Sequence, residues 1–266
     1  MDLFRLQHHR FGVVLFTPGR RHVKLFLDAQ ATFDHQHFLD DGDDQRIALA
    51  NQKARDDVAV TAAQLVLDGE DASYALCRPP GHHAYADMAG GFCFLNNTAI
   101  AAAHLRLQHE RVAILDVDVH HGNGTQGIFY ARPDVLTVSI HADPYHFYPF
   151  VWGYAHERGE GAGLGANFNI PLPMGTGDDA YLQALANARQ TIDAFAPGAL
   201  VVALGLDASE HDPLKGMSIT TNGFSRIGAA IAQIGLPTVI VQEGGYLSDV
   251  LGDNLTAFLG GFEGAR

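Results

Sequence analysis

The chain has 266 residues, 47% of them hydrophobic, with a mean hydropathy of zero, and no apolar run approaches the ~18–20 residues of a membrane span. Residues 1–25 carry Arg5, Arg10, Arg20, Arg21 and Lys24 against Asp2, a net of +4, which leaves −17 for the rest of a chain whose total is −13; that acidic body disfavours nucleic acid and suits cationic small molecules or basic peptides. Cys77 and Cys93 make no disulfide framework and "FGVVLF" is too short and poorly flanked for a signal peptide, so a cytoplasmic protein is expected.

Residues 1–52 show no strong periodicity. They hold His8, His9, His22, His35, His37 and the acidic run "DDGDD", and are expected to form a divergent extension of uncertain structure ahead of a catalytic domain over 53–266. From residue 53 onward the order is legible. "KARDDVAVTAAQLVLDG" has helical spacing, and "SYALC" is a short strand entering the loop "RPPGHHA". "NNTAIAAAHLRLQ" is a helix with an Asn cap candidate, "RVAILDVDV" a buried strand, "TQGIFYA" a short helix and "VLTVSIH" another strand. The Gly-, Tyr- and Pro-rich stretch 141–166 is too long for a plain connector, which points to a functional loop. "NFNIPL", the helix "DDAYLQALANARQTIDAFA", the strand "ALVVALGLD", the helix "GFSRIGAAIAQI", the strand "PTVIVQEGGY" and a last helix complete the chain. Strands alternating with helices imply an α/β domain with a mostly parallel sheet covered on both faces, and ligands bind at the carboxyl ends of such strands.

The chemistry-bearing clusters fall at those ends. In "ILDVDVHH" (114–121) the two-residue period of a strand puts Asp116, Asp118 and His120 on one face and Val117 and Val119 on the other. Three such side chains at a buried strand end are costly to desolvate, and a metal ion is the usual compensation. "GHH" (81–83), "GLDASEHDP" (205–213) and "EGGY" (243–246) reach the same sheet edge. Asp118, His120 and Asp207 can then form a two-carboxylate, one-imidazole site with an open position for water. His82 and His83 would stand beside that water as base and acid, with Asp116 and Asn123 available to orient them. Tyr246, after two glycines, could donate its hydroxyl to a carbonyl oxygen. Taken singly, each of these histidines is more often an ordinary core or surface residue, and "EGGY" is a common turn. "DVDVHHGNG" has no cheap packing explanation.

"LCRPPGHHA", "GGFCFLNNTAIAA", "AILDVDVHHGNGTQGIFY", "LTVSIHADP…FYPF", "GLDASEHDP" and "EGGY" occur in the order found in the zinc-dependent histone deacetylase superfamily, and the sequence resembles that family over about residues 53–262. "HGNGTQ", with Asn123, is similar to the class II and bacterial branch, where the class I pattern has Asp. "GYAHERGEGAGLGANFNIPLP" looks most like the acetylpolyamine amidohydrolase side of the family. The resemblance implies a single arginase/deacetylase-like domain that hydrolyses an acetyl amide. By the same resemblance Zn2+ would be held by Asp118, His120 and Asp207, His82 backed by Asp116, His83 by Asn123, and the acetyl carbonyl polarised by Tyr246. It further implies a substrate tunnel lined by Gly91, Phe92, Tyr148, Gly244 and Gly245 with Leu214 at its mouth. A structural K+ ion is implied on Asp116, Asp118, His120, Ser139 and Ile140, and a homodimer is in keeping with the family. The expected substrate is an acetylated polyamine or similar small acetylamine. The alternatives are an acetyl-lysine side chain of a protein, or simple binding of an acetylated ligand by a non-catalytic paralogue. Neither a nucleic-acid nor a membrane partner is expected.

Overall fold

The computed structural model describes residues 12–16, 25–27 and 58–266. Six strands form a parallel sheet: β3 (Ala72–Ala75), β4 (Val112–Asp116), β5 (Val135–Ala142), β6 (Asn167–Leu172), β7 (Ala199–Leu204) and β8 (Thr238–Gln242). Their spatial order is β3-β8-β7-β4-β5-β6. Two more strands, β1 (Gly12–Phe16) and β2 (Leu25–Leu27), come from the segment for which the sequence suggests no element; β1 pairs antiparallel with the edge of β3, and β2 with β1. The parallel, doubly covered sheet expected from the strand–helix alternation is therefore present, extended on one side by an antiparallel pair.

The helices are α1 (described over 58–67), α2 (Asn97–Leu105), α3 (Asn123–Phe129), α4 (Asp178–Phe195), α5 (Thr221–Ala232) and α6 (Leu251–Gly264). Alternate residues of each central strand face different layers. Leu115, Val202 and Ile240 pack with α4, α5 and α6, whereas Ile114, Val201 and Val239 pack with α1, α2 and α3. Asn96 caps α2, its side chain accepting from the Ala99 N–H, so the Asn signal in the sequence marks the helix start. Among the described residues no helix is long and apolar enough to cross a membrane.

One expectation needs correction. The strand read over 111–119 stops at Asp116, because the next amides are diverted from the sheet to carboxylates: Asp118 N donates to Asp116 Oδ1 (3.1 Å) and His120 N to Asp118 Oδ1 (2.8 Å). Single backbone–backbone bonds, Val117 N to Ala203 O and Ala142 N to Val119 O, replace the ladder here, and Val119 N turns to Asp207 Oδ1. Val117 and Val119 still enter the core, but Asp118 and His120 converge through a carboxylate-held bend rather than through strand pleating.

Strand order locates the site. The chain runs outward through β4, β5 and β6, then returns to β7 on the other side of β4. The crevice at the carboxyl ends of β4 and β7 is the point where the winding reverses, and this is where doubly wound sheets bind ligands.

Candidate active site

Asp118 and His120 follow β4, and Asp207 follows β7. All three are buried, and their ligand atoms lie within 4.8 Å of one another. Backbone donors hold the carboxylates: Asp118 Oδ2 accepts from Gly244 N (2.8 Å) and Asp207 Oδ1 from Val119 N (3.1 Å). His120 Nδ1 lies 3.0 Å from Asp118 Oδ1 and 3.1 Å from Asp207 Oδ2. Gly244 is required by close approach, since a Cβ there would overlap Oδ2 of both Asp207 and Asp118. Burial and the neighbouring Asp118 push the Asp207 carboxyl up, while the imidazoles of His82 and His120 hold Asp118 down despite its burial. Burial disfavours charge on His120, but its bonds to Asp118 and Asp207 outweigh this and raise it to about 10. The pair of carboxylates thus favours positive charge between its oxygens. A divalent cation with a neutral imidazole as third donor satisfies the same preference, so these residues fit a metal ion.

The loop after β3 brings the histidine pair to this group. His82 Nδ1 donates to Asp116 Oδ2 (2.9 Å), and His83 Nδ1 donates to Asn123 Oδ1 (2.7 Å). Asn123 Nδ2 points to the Tyr85 hydroxyl (3.4 Å), which leaves its oxygen for His83. With the Nδ1 proton so used, Nε2 of His83 carries the lone pair. The two rings are 4.0 Å apart, and His83 is 5.8 Å from His120. Their basicities diverge. Burial disfavours charge on His82, yet Asp118 and Asp116 hold it well above the usual histidine value; burial and the His82 charge press His83 well below it. Two neighbouring groups pushed apart in this way suit proton transfer in opposite directions.

Tyr246 lies on the turn after β8, where Gly245 has a φ of 137° that favours glycine and Tyr246 N donates to Asp212 Oδ2 (3.3 Å). Burial and the nearby Asp207, Asp118 and Asp212 carboxylates raise its phenol, which stays protonated at neutral pH. Tyr148 stands edge-on to His83 with ring centroids 4.9 Å apart. Gly91, at φ 53°, lies so close that a Cβ would overlap the His83 ring. Phe92 and Leu214 are exposed, as residues at a rim would be. Gly244 backs the carboxylates, as described above, and Gly245 turns the chain. Asp116 pairs with Ser139 in the β4–β5 register, and both line a small cavity with His121 and Gln126; the Ile140 side chain is buried in the core on the other face.

Three contributors were not singled out from sequence. Phe147 stacks on His120 (4.8 Å), and its place beside Tyr148 was the only local hint. Glu157 Oε2 accepts from Gly153 N (2.9 Å) and Gln126 Nε2 (2.7 Å), anchoring the long loop that carries Tyr148. Glu243, the first letter of "EGGY", accepts from the His82 loop.

A sequence profile of the histone deacetylase domain matches residues 30–262, beginning ahead of the boundary at 52/53 expected from periodicity. The chain is 55% identical over 208 residues to an acetylpolyamine amidohydrolase of Burkholderia pseudomallei, covering 78% of this chain and 61% of that protein. It is 52% identical over 209 residues to acetylpolyamine amidohydrolase 1 of Pseudomonas aeruginosa, covering 78% and 60%. A crystal structure of the acetylpolyamine aminohydrolase from Burkholderia pseudomallei superposes with a TM-score of 0.78 at 54% identity, covering 80% of this chain and 62% of that one. The chain therefore spans about three fifths of the length of these relatives.

Asp207→Ala leaves two of the three donors. The wild type is expected to hold about one divalent ion per chain, the stoichiometry of a three-donor catalytic site, and the variant to lose it after gel filtration. Elemental analysis checks this, and full occupancy in the variant would show the ligand set to be wrong.

Proposed function

The chain belongs to the histone deacetylase family, and from that premise we propose that it is a metal-dependent amidohydrolase that removes acetyl groups from small acetylated amines, acetylpolyamines foremost, releasing acetate and the free amine. The observation that carries this reading is the histidine pair, His82 held by Asp116 and His83 by Asn123, standing beside the buried Asp118, His120 and Asp207. The names of the relatives supply the substrate class, and an acidic body suits a cationic amine.

Zinc is the ion assigned to Asp118, His120 and Asp207; when bound it supplies Lewis acidity toward the acetyl carbonyl and toward water. The chain's own groups do the rest. His83, neutral with Nε2 unprotonated, takes a proton from the attacking water, whose oxygen bonds to the acetyl carbon. Tyr246 donates its phenolic hydrogen to the oxyanion that develops. A protonated histidine of the pair then gives its proton to the amine nitrogen as the C–N bond breaks, and Asp116 steadies positive charge on His82. A structural K+ ion on Asp116, Asp118, His120, Ser139 and Ile140 is part of the proposal, supported by the pairing of Asp116 with Ser139 in the β4–β5 register. We further assign the enzyme to the cytoplasm as a homodimer, the cytoplasmic assignment being in keeping with its two buried cysteines.

Substrate class is tested by comparing kcat/KM for acetylputrescine, acetylspermidine and an acetyl-lysine peptide on zinc-loaded protein. The acetylpolyamines are expected to lead by about tenfold or more, ~1.4 kcal/mol in transition-state stabilisation. A leading peptide would make the protein an acetyl-lysine deacetylase, and no turnover by metal-loaded protein would leave only a binding role.

Tyr246→Phe keeps the ring and its packing but removes the donor. Its kcat is expected to fall about 10²–10³-fold, ~2.7–4 kcal/mol, with little change in KM. Near-normal turnover by the metal-loaded variant would reduce Tyr246 to a turn residue.

Asn123→Asp places a carboxylate on His83 Nδ1, and an added opposite charge raises a histidine pKa by about 1–3 units. A raised pKa keeps the base protonated to higher pH, so the acid limb of the kcat/KM profile should move upward. An unmoved limb would take His83 out of the role of base.

A further inference from the structure

Glu243 is buried just after β8, and its side chain joins that strand end to the loop after β3 and to α2. Oε2 accepts two consecutive amides of the loop after β3, Gly81 N at 2.5 Å and His82 N at 3.0 Å. Oε1 accepts the Thr98 hydroxyl in the first turn of α2 at 2.6 Å. On its other side, the His82 carbonyl accepts from Thr125 N at the start of α3 (3.1 Å). The His82 peptide is thereby clamped at both ends, with its ring fixed separately by Asp116. The following residue, Gly244, gives its N–H to Asp118. One dipeptide therefore joins the histidine loop to the metal-binding carboxylates.

We infer that Glu243 is a positioning residue for hydrolysis: by accepting the Gly81 and His82 amides it sets where the two histidine rings stand relative to Asp118 and Asp207. The inference rests on the proposed proton-transfer role of the pair. What matters is the reach of the side chain rather than its charge. Burial pushes the carboxyl up to about 7, against the opposing influence of His82 and of the bonds from Gly81 and Thr98, so a neutral form is close at hand near neutral pH. A glutamine amide oxygen can accept the same two N–H groups, and the Thr98 hydroxyl can turn to accept from the amide nitrogen. Aspartate keeps the charge but withdraws the acceptor by one methylene.

Charge and reach thus make opposite forecasts for Glu243→Gln and Glu243→Asp. Both variants are to be loaded with zinc and compared with wild type and His83→Ala in metal content, melting temperature, kcat, KM and amide hydrogen exchange over residues 78–84. Glu243→Gln should stay within about threefold of wild-type kcat with the loop still protected. Glu243→Asp should bind zinc, keep KM within about twofold and lose about 10- to 100-fold in kcat with faster loop exchange, the scale of a misplacement near 1 Å. Thr98→Val frees Oε1 alone; it should show a smaller loss of the same kind, and carries the comparison if the Asp variant does not fold. Wild-type kcat in both Glu243→Asp and Thr98→Val, or an Asp variant more active than the Gln variant, would overturn the inference. Full activity of His83→Ala would instead remove the reading beneath it, whatever the Glu243 variants do.

Discussion

Everything at this site depends on keeping several carboxylates out of water at the carboxyl edge of one sheet. Burying an ionised carboxylate is expensive unless it is paired or hydrogen-bonded. Asp116, Asp118, Asp207, Asp212 and Glu243 each accept at least one backbone N–H, and most of those amides belong to a different strand end. Charge-assisted bonds of this kind are stronger than neutral ones. The acids therefore act as joints between loops as well as chemical groups. The loops at the ends of β3, β4, β7 and β8 are held in register by the side chains to which the proposed function assigns the chemistry.

The same acids divide the labour of the histidines. His82 and His83 are adjacent in the chain and their rings lie close together, tilted by 42°, yet one is backed by a carboxylate and the other by a neutral amide. A carboxylate favours the imidazolium, while an amide oxygen fixes the tautomer without adding charge. Proximity sharpens the difference, because positive charge on His82 disfavours it on His83. Two identical side chains acquire opposite tendencies from their burial and from the charges set around each of them.

Outside this layer stand exposed apolar side chains carried on loops. Tyr148 reaches His83 from a long loop that stays in place because Glu157 and Gln126 tie it down from beneath. Phe92, Phe150 and Leu214 are exposed. Phe92 and Phe150 also have positive φ, an uncommon conformation for bulky residues that tends to accompany functional loops. In the function proposed above, substrate selection falls to these outer residues and the chemistry to the buried ones.

Much of this was readable in the linear chain. Alternation of short β-branched strands with helical stretches specifies a parallel sheet, and "GHH", "DVDVHH", "GLD" and "EGGY" each follow a strand, so the sheet edge that carries the site was implicit in their spacing. Local pattern fails where backbone amides change partner. The strand through Asp116 looks continuous to Val119, but its amides turn to carboxylates and the ladder stops. β1 and β2 carry too little periodicity to be found before β3 offers them an edge. Glu243 looks like one letter of a glycine turn because its partner amide is 162 residues away; the Val119–Asp207 and Asp118–Gly244 contacts span 88 and 126 residues. Residue type and period are properties of neighbours along the chain. Which acid meets which amide, and which histidine is therefore pushed up or down in basicity, depends on the order of strands across the sheet, which only the tertiary structure decides.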